Sequence, residues 1–500
     1  MRAAGRTALA RRDVLAATRL PYTAQVSERV VRLADGAYLQ AFRLGGTSYE
    51  SADDTTVNGW HTRLNVLWRN VASPNVALWV HLVRQRDRRY PPGRCKPGFA
   101  EDLNAAYRAR VTGQTLMSNA WYLSVLYRPA TSVAGRWTLA ALRGSRRTTD
   151  PELDVAALDG CERLGQTVLA ALDGYDPEPL GCIGEGAGTR SQLLEFLALL
   201  VNGESRPVRL PRAPVNEVLA TSRLSFGTEL IEVRTPSETR WGAMLGIKEY
   251  PTPTLPGLFN ALLAAPFPLV LTQSFTFLSK GTAQGLMQRQ AHRLTNAGDF
   301  AVSQAAELSD ALDQLTSNEF VMGEHHLSLQ VQTEPVPAAA CPDATLAQLN
   351  DDVAVARALL ADAGLTVARE DLALEAAYWA QLPGAFSWRP RKAVISSRNF
   401  AAMAPFHAYP GGRTDGNHWG EALALFETRA RSPYFFSLHA ADPRASDGGA
   451  KKDTGHTLIC GPTGSGKTVL VGFLVAMLTK HGATQVIFDK DQGLSILVRA

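Results

Sequence analysis

A short glycine-rich stretch, GPTGSGKT at residues 461–468, constrains the fold of this 500-residue chain more than any other feature. It fits the pattern G-x-x-x-x-G-K-[ST], in which glycines let the backbone approach phosphate oxygens closely. The apolar stretch HTLIC (456–460) predicts a strand before it, and TVLVGFLVAMLTKHG (468–482) predicts a helix that ends at a glycine. Strand, loop and helix in this order predict a nucleotide-binding loop in an α/β domain.

The loop residues have separate expected roles. Backbone N–H groups and the positive end of the following helix are expected to bind phosphate. Lys467 is expected to reach the β- and γ-phosphates, and the Thr468 hydroxyl to complete the Mg²⁺ shell, which makes these two the predicted catalytic residues. ATP and Mg²⁺ are therefore the predicted cofactors. The predicted nucleotide-binding residues are Gly461, Pro462, Thr463, Gly464, Ser465, Gly466, Lys467 and Thr468.

The stretch QVIFDKD (485–491) predicts a strand with acidic residues at its carboxyl end, where α/β sheets place functional groups. It resembles a Walker B strand, although motor ATPases of the RecA type usually carry that acid on a later strand. Two interpretations stay open for Asp489 and Asp491. They contact nucleotide or water, or, as the sequence favours, they cap the strand end or contact the rest of the domain.

The nucleotide domain is expected to be cut short in this sequence. Two strands and one helix cannot bury their apolar surfaces alone. Nothing after Ala500 supplies further strands, an acid that polarises water or an arginine finger. We therefore expect the 500-residue form to bind ATP poorly and to hydrolyse it negligibly.

The residues before the loop predict two α+β domains. The expected boundaries are 1–205 for a basic amino-terminal domain, 206–385 for a central domain and 386–500 for the beginning of an α/β RecA-like P-loop NTPase domain. The predicted strands are GAYLQAFRL, VALWVHLVR, WYLSVLYRP, LSFGTELIEVR, RWGAMLGIKEY and FPLVLTQSFTFL. The predicted helices include TTVNGWHTRLNVLWRNV, PELDVAALDGCERLGQTVLAALDG, SQLLEFLALLVNG, KGTAQGLMQRQAHRL, DFAVSQAAELSDALDQL and ATLAQLNDDVAVARALLADAG.

Charge is distributed unevenly, because residues 1–150 contain 23 Lys and Arg against 10 Asp and Glu. The densest arginines, in RQRDRRYPPGR (84–94), predict an exposed loop. Such a region could bind an anionic membrane surface or nucleic acid, or form a solvated basic face. The most apolar long window, GLFNALLAAPFPLVLTQSFTFL (257–278), predicts a helix followed by a buried strand and not a membrane span. The sequence predicts neither a transmembrane helix nor a secretory signal. Five cysteines far apart in sequence favour a reducing compartment.

Two other candidate sites are better explained by packing. His325 and His326 are adjacent on a predicted strand, so they point to opposite faces and cannot chelate one metal ion. The turn-like stretch GNHWG (416–420) predicts a loop with a packed aromatic ring. Motifs typical of serine hydrolases, zincins and dinucleotide oxidoreductases are absent from the sequence, which argues against those classes.

Several stretches together resemble the CagE/TrbE/VirB ATPases of bacterial type IV secretion and conjugal transfer systems. The resemblance extends from about residue 20 to the end of the sequence. It is carried by RWGAMLGIKEYPTPTLPGLFNALL, VLTQSFTFLSK, FVMGEHHLSLQV, EAAYWAQLPGAF, SSRNFA, HWGEALALFETRARSPYFFSLH, GHTLICGPTGSGKTVL and FDKDQG.

This resemblance implies an ATPase that energises pilus assembly and substrate transfer. It implies a peripheral location at the cytoplasmic face of the inner membrane, dimers or hexamers, and other type IV secretion subunits as partners. It also implies that Asp489 and Asp491 belong to the FDKD-type motif of the family and not to its Walker B strand. A conjugative DNA-pumping ATPase and a non-catalytic membrane-docking scaffold stay as alternatives, with DNA as a partner that the sequence does not indicate.

Overall fold

A computed structural model describes residues 13–129, 151–296, 302–439 and 455–500. These residues form two compact units. Unit 1 is built from the chain up to Arg84 and from Asn119 to Ala408. Unit 2 is built from Gln85–Ser118 together with the chain from Tyr409 onward. Unit 2 therefore combines two segments that are far apart in sequence. The division of the protein at residues 205 and 385 stays a prediction.

Unit 1 is organised around a 15-stranded sheet, with the strand order β1-β11-β12-β13-β15-β14-β6-β7-β4-β3-β2 and four shorter strands beside it. Strands that the sequence assigned to both the amino-terminal and the central region are neighbours in it. The strands of the described chain are β1 (Asp13–Val14), β2 (Tyr22–Gln25), β3 (Val31–Leu33), β4 (Tyr38–Leu44), β5 (Thr47–Ser48), β6 (Val76–Arg86), β7 (Met117–Tyr127), β8 (Pro177–Pro179), β9 (Cys182–Ile183), β10 (Arg190–Ser191), β11 (Arg223–Phe226), β12 (Ile231–Arg234), β13 (Glu238–Glu249), β14 (Leu269–Phe277), β15 (Met322–Gln332), β16 (Val336–Pro337), β17 (Thr366–Arg369), β18 (Ala393–Ser396), β19 (His407–Ala408), β20 (Ala424–Glu427) and β21 (Pro433–Phe436).

Helices cover the sheet of unit 1 and contribute to unit 2. The helices of the described chain are α1 (Asp54–Val71), α2 (Phe99–Gly113), α3 (Pro151–Ala171), α4 (Gln192–Asn202), α5 (Val215–Leu219), α6 (Lys280–Asn296), α7 (Val302–Thr316), α8 (Asp343–Asp362), α9 (Leu374–Trp379), α10 (Ser397–Met403), α11 (Lys467–Met477) and α12 (Ser495–Arg499). Among the described residues, no helix is long and apolar enough to span a bilayer. Residues 1–12, where a secretory signal was considered, lie outside the described ranges.

The centre of the sheet is β14, whose nine residues are all buried. It pairs antiparallel with β15 on one side and with β6 on the other. On one face of the sheet Phe275 stacks on Phe400 of α10, with 4.7 Å between the ring centroids. On the other face Trp79 of β6 packs in an apolar cluster together with Leu197 and Trp379. Both faces are covered, which explains why the central strands read as nearly continuous apolar runs.

Most of the predicted elements of unit 1 are confirmed, and two differ. The stretch LSFGTELIEVR forms a hairpin of β11 and β12 and not one strand, because a turn intervenes in which Gly227 donates its N–H to the carbonyl of Leu230 at 2.9 Å. The helix expected after residue 257 is only a short 3₁₀ turn, Asn260–Ala264. Pro266 and Pro268 follow this turn closely, and proline cannot donate the N–H that a longer helix requires.

The prediction of an exposed arginine cluster at residues 84–94 is wrong for its first members. Arg84 lies on β6 and is fully buried. Its Nε donates to the carbonyl of Ala265 at 2.6 Å and its Nη1 to Asn119 Oδ1 at 3.0 Å. Arg89 pairs with Asp87 at 2.6 Å. Arg84 therefore stabilises the core of unit 1, and only the later arginines of the cluster can contribute to a basic surface.

The paired histidines of β15 confirm the structural interpretation. His325 lies on the face of Phe400 and accepts or donates a hydrogen bond with the Tyr250 hydroxyl at 2.8 Å. His326 lies on the opposite face, that of Arg389. Burial lowers the pKa of His325 to about 3 and that of His326 to about 4. Both rings are therefore neutral core residues at physiological pH.

We expect Arg84→Gln to lower the free energy of unfolding by about 2–4 kcal/mol, because it leaves buried acceptors without their charged donor. The exposed Arg88 is the matched control, and Arg88→Gln should change stability by less than about 0.5 kcal/mol. Urea denaturation followed by tryptophan fluorescence measures both. Equal stability of the two variants would contradict the buried role of Arg84.

We expect unit 1 to lose stability as the pH falls from about 6.5 to about 4. The pKa values of His81, His326 and His407 are lowered to about 4 by burial, against an ordinary value of 6.5. In this window the unfolded chain binds more protons than the folded chain, so acid favours unfolding. His81→Gln should reduce the slope of stability against pH by up to about 1.4 kcal/mol per pH unit. Replacement of the exposed His456 by Gln should change the free energy of unfolding by less than about 0.5 kcal/mol.

Candidate functional site

The glycine-rich loop of unit 2 has the backbone conformation that its sequence requires. Gly464 and Gly466 have φ angles of +80° and +87°, a region that residues with a side chain rarely adopt. A Cβ on Gly461 would lie 2.9 Å from Ser465 Oγ. The loop is closed by a hydrogen bond from the Ser465 N–H to the carbonyl of Pro462 at 3.3 Å. The glycines thus permit a tight, solvent-exposed turn that leads into α11.

Lys467 folds back over this turn. Its Nζ donates to the carbonyls of Gly461 and Pro462, both at 2.8 Å. The ammonium is therefore held beside the loop by two neutral acceptors at a solvent-exposed site. An anionic acceptor makes stronger charge-assisted hydrogen bonds than a carbonyl, so a phosphate can replace these partners.

The amino-terminal end of α11 is open. Gly466 is its N-cap, and among the described residues no side chain caps its first turn. The N–H groups of a first helical turn lack partners within the helix and carry a partial positive charge. Thr468, in the same turn, is exposed. Donors, a cation and a hydroxyl thus lie within eight consecutive residues, a set that fits the phosphates of a nucleotide and Mg²⁺.

The helix predicted at 468–482 is confirmed, but the strands predicted on both sides of it are wrong in this structure. Residues 455–460 and 485–489 have no regular secondary structure and 490–491 form a turn, and in the described part of the chain no strand pairs with either stretch. Leu458 and Phe488 are 89% and 97% exposed. A strand is defined by hydrogen bonds to a neighbour, so an apolar stretch without one stays unpaired however strong its propensity.

Asp489 and Asp491 differ in their contacts. Asp489 Oδ2 accepts a hydrogen bond from the Leu494 N–H at 2.7 Å, directly before α12. In this turn Gly493 lies against Thr468. A Cβ placed on Gly493 would be 3.1 Å from Thr468 Cγ2. Asp489 therefore contacts the chain segment beside the loop, which is the contact with the rest of the domain that the sequence favoured. The strand that it was expected to cap does not form in residues 485–491. Asp491 is exposed.

Sequence reasoning missed the contribution of residues 85–118 to this unit. Helix α2 packs against α11, and Cys95 lies in the same apolar cluster as Leu474 and Met477. No local sequence pattern predicts a contact between residues almost 400 positions apart. The available signal was the apolar sequence of α11, which requires apolar partners without identifying them.

The GNHWG loop lies in unit 2 and closes with a hydrogen bond from the Asn417 N–H to the carbonyl of Gly420 at 2.9 Å. The ring of Trp419 lies 5.7 Å from His439 and 6.0 Å from His481, measured between centroids. The predicted aromatic packing is confirmed, although Trp419 stays 49% exposed.

Comparison with known families gives two matches. Residues 178–391 match the CagE, TrbE, VirB family, component of type IV transporter system. Residues 29–134 match the N-terminal domain of the type IV secretion system ATPase VirB4/TrbE. Both matches end before the glycine-rich loop.

Relatives extend the similarity across the whole chain. The type IV secretion system protein virB4 of Bartonella quintana is 40% identical over 491 residues, covering 98% of this chain and 60% of the relative. The type IV secretion system protein PtlC of Bordetella pertussis is 35% identical over 504 residues, with 99% and 60% covered. Protein virB4 of Agrobacterium fabrum is 35% identical over 487 residues, with 96% and 58% covered. The chain thus spans about 60% of the length of these relatives.

We expect Asp489→Ala to raise the amide exchange rate of Leu494 and α12 by about fivefold to tenfold, because the segment loses one charge-assisted hydrogen bond of roughly 1–1.4 kcal/mol. Asp491→Ala is the matched control and should leave these rates within about twofold. Hydrogen–deuterium exchange measured by mass spectrometry tests both. Similar exchange in both variants would show that the Asp489 contact does not stabilise this turn.

Proposed function

The chain belongs to the CagE, TrbE, VirB family of type IV transporter components, and from this premise we propose that it is the ATP-binding component of a type IV secretion system. In this proposal it energises pilus assembly and the transfer of substrate across the bacterial envelope. The relatives that match nearly the whole chain are named as type IV secretion system proteins, which supports this assignment.

The observation that carries the proposal is the position of Lys467. Its ammonium lies at the open end of α11, 2.8 Å from two loop carbonyls that a nucleotide phosphate can replace. Residues Gly461 to Thr468 would hold the phosphates of ATP through backbone N–H groups and Lys467. The Thr468 hydroxyl would ligate Mg²⁺, which neutralises phosphate charge when bound.

We also propose that 386–500 begins a RecA-like domain in the full-length protein. The apolar stretches 456–460 and 485–491, which lie on either side of α11 in sequence, pair with no strand of the described chain. Their exposed apolar side chains, among them Leu458 and Phe488, support this assignment, because a sheet would bury them. The catalytic acid and the arginine finger are not assigned to any residue of this chain.

The proposed partners are other subunits of the secretion apparatus and further copies of the protein, as dimers or hexamers. The proposed location is the cytoplasmic face of the inner membrane. The basic balance of residues 1–150 supports contact with anionic lipid, with exposed residues such as Arg88 and Arg94 as contributors and the buried Arg84 excluded.

Replacement of Lys467 tests this function. In the full-length protein, Lys467→Ala should abolish ATP turnover and weaken MgATP binding at least about tenfold, because the phosphates lose their ammonium contact. Lys490→Ala, at an exposed lysine of the same unit, is the matched control and should retain both activities. The 500-residue form should bind ATP weakly and show negligible turnover, whether residue 467 is lysine or alanine. Equal binding by the Lys467 and Lys490 variants would refute nucleotide binding at this loop.

A further inference from the structure

The apolar side of α11 packs against a helix from the other end of the chain. Leu470, Phe473, Leu474 and Met477 follow the spacing of one helical face. They lie in one cluster with Ala100 and Leu103 and with Phe426 and Phe436 of the β20–β21 hairpin. Helix α2 and this hairpin therefore share the packing surface of the helix that carries Lys467.

Tyr107 of α2 packs on the neighbouring apolar cluster and reaches this surface through Phe473. Its ring lies 4.5 Å from that of Phe473, measured between centroids, at an interplanar angle of 50°. Its hydroxyl donates to the carbonyl of Leu425 in β20 at 2.8 Å. Burial raises the pKa of Tyr107, so the hydroxyl keeps its proton and its donor role. One side chain thus joins α2 to both α11 and the hairpin.

The segment before α2 contacts the opposite end of α11. The Lys96 N–H donates to Thr479 Oγ1 at 3.3 Å, and Lys480 Nζ lies 5.6 Å above the ring of Tyr90. Lys480 also donates to the carbonyl of Leu423 at 3.1 Å. Residues 85–118 therefore contact the helix along its apolar face and at its carboxyl end.

This packing matters for the loop because it holds the helix that follows the loop. The amino-terminal end of α11 begins at glycines with positive φ and, within the described chain, receives no side-chain cap, although Thr468 and Gly472 also lie against residues 493–497. The packed face of the helix therefore contributes to the direction of its first N–H groups and of Lys467. A shift of that face changes the geometry of every phosphate donor at once.

We propose that residues 85–118 are an integral part of the nucleotide-binding unit and that Tyr107 is a positioning residue for the phosphate-binding loop. This inference rests on the proposed function and extends it to a segment that lies outside the expected nucleotide domain, 386–500. Tyr107 acts through Phe473 and α11 and does not contact the nucleotide. It sets the affinity for ATP by holding the backbone N–H groups of the loop and the Lys467 ammonium where they can bind the phosphates.

Steady-state kinetics of the full-length protein test the proposal. Tyr107→Ala should raise KM and the Kd for MgATP by about fivefold or more while kcat stays within about twofold, the pattern of a lost binding interaction common to substrate and transition state. Tyr107→Phe keeps the ring contact with Phe473 and should restore both constants to within about twofold of wild type. Loss of folded protein alone would lower the apparent kcat and leave KM unchanged.

Tyr122→Ala provides a matched control. Tyr122 stacks on Phe196 in unit 1 at 4.3 Å, so the change removes a comparable aromatic contact away from unit 2. Its KM should equal that of wild type. If Tyr107→Ala does not fold, Leu103→Ala tests the same surface and should raise KM in the same way.

The outcomes separate this inference from the function on which it rests. If wild type binds MgATP and Lys467→Ala does not, the proposed function holds. An unchanged KM in Tyr107→Ala, or in Leu103→Ala if that variant replaces it, would then overturn only the positioning role. A KM that rises equally in Tyr107→Ala and Tyr122→Ala would also overturn it, because the effect would not be specific to α11. If wild type does not bind MgATP, the proposed function itself fails.

Discussion

The antiparallel ladder of β14 with β15 and β6 is the interaction on which the rest of the structure depends. All nine residues of β14 are buried, so both of its neighbours and both covering layers are needed to exclude water from it. The chain leaves the sheet at the end of β6 and returns to it in β7, the next strand of the sheet. Residues 85–118, which contain this connection and the adjoining ends of both strands, pack in unit 2. The organisation of the core thus places a connection of the first sheet in the second unit.

The same ladder explains why several polar residues are buried. Arg84 lies on β6 beyond the apolar run of that strand. It donates hydrogen bonds to the carbonyl of Ala265 and to the side chain of Asn119. His81 lies directly opposite Thr272 of β14 and forms a 2.7 Å hydrogen bond with the carbonyl of Gln381. A buried polar group without a partner costs stability, so these contacts restrict which segments can cover the sheet. The polar residues of the core therefore contribute specificity of packing, whereas burial of the apolar residues drives folding.

Local pattern predicted the elements well and their assembly poorly. Strands β4, β6, β13 and β14 and the longer helices follow from periodicity, because the preference of each is contained in its own residues. The hairpin at Gly227 shows the limit of this reasoning, since one glycine divides an apolar run that reads as a single strand. The exposed arginine loop was predicted from composition alone, and composition does not reveal that Arg84 has two buried acceptors. Pairing order and the position of residues 85–118 depend on contacts that are distant in sequence, which no local window contains.

In the candidate site, too, the local backbone features could be predicted and the contacts distant in sequence could not. The positive φ of Gly464 and Gly466, the start of α11 at Lys467 and the glycine at its end could be predicted, because each is a backbone requirement of a short motif. The partner of the helix could not be predicted, since an apolar helix specifies only that something apolar covers it. In the proposed function the loop supplies the phosphate donors and carries its own chemical signature, whereas packing beneath α11 is proposed to direct those donors. Tyr107 and Phe473 show the difference: neither has a phosphate-binding group, yet their 4.5 Å ring contact lies on the helix that carries Lys467. In the proposed function the motif predicts the ligand, while the proposed positioning residue, Tyr107, lies on a helix that is distant in sequence from the motif.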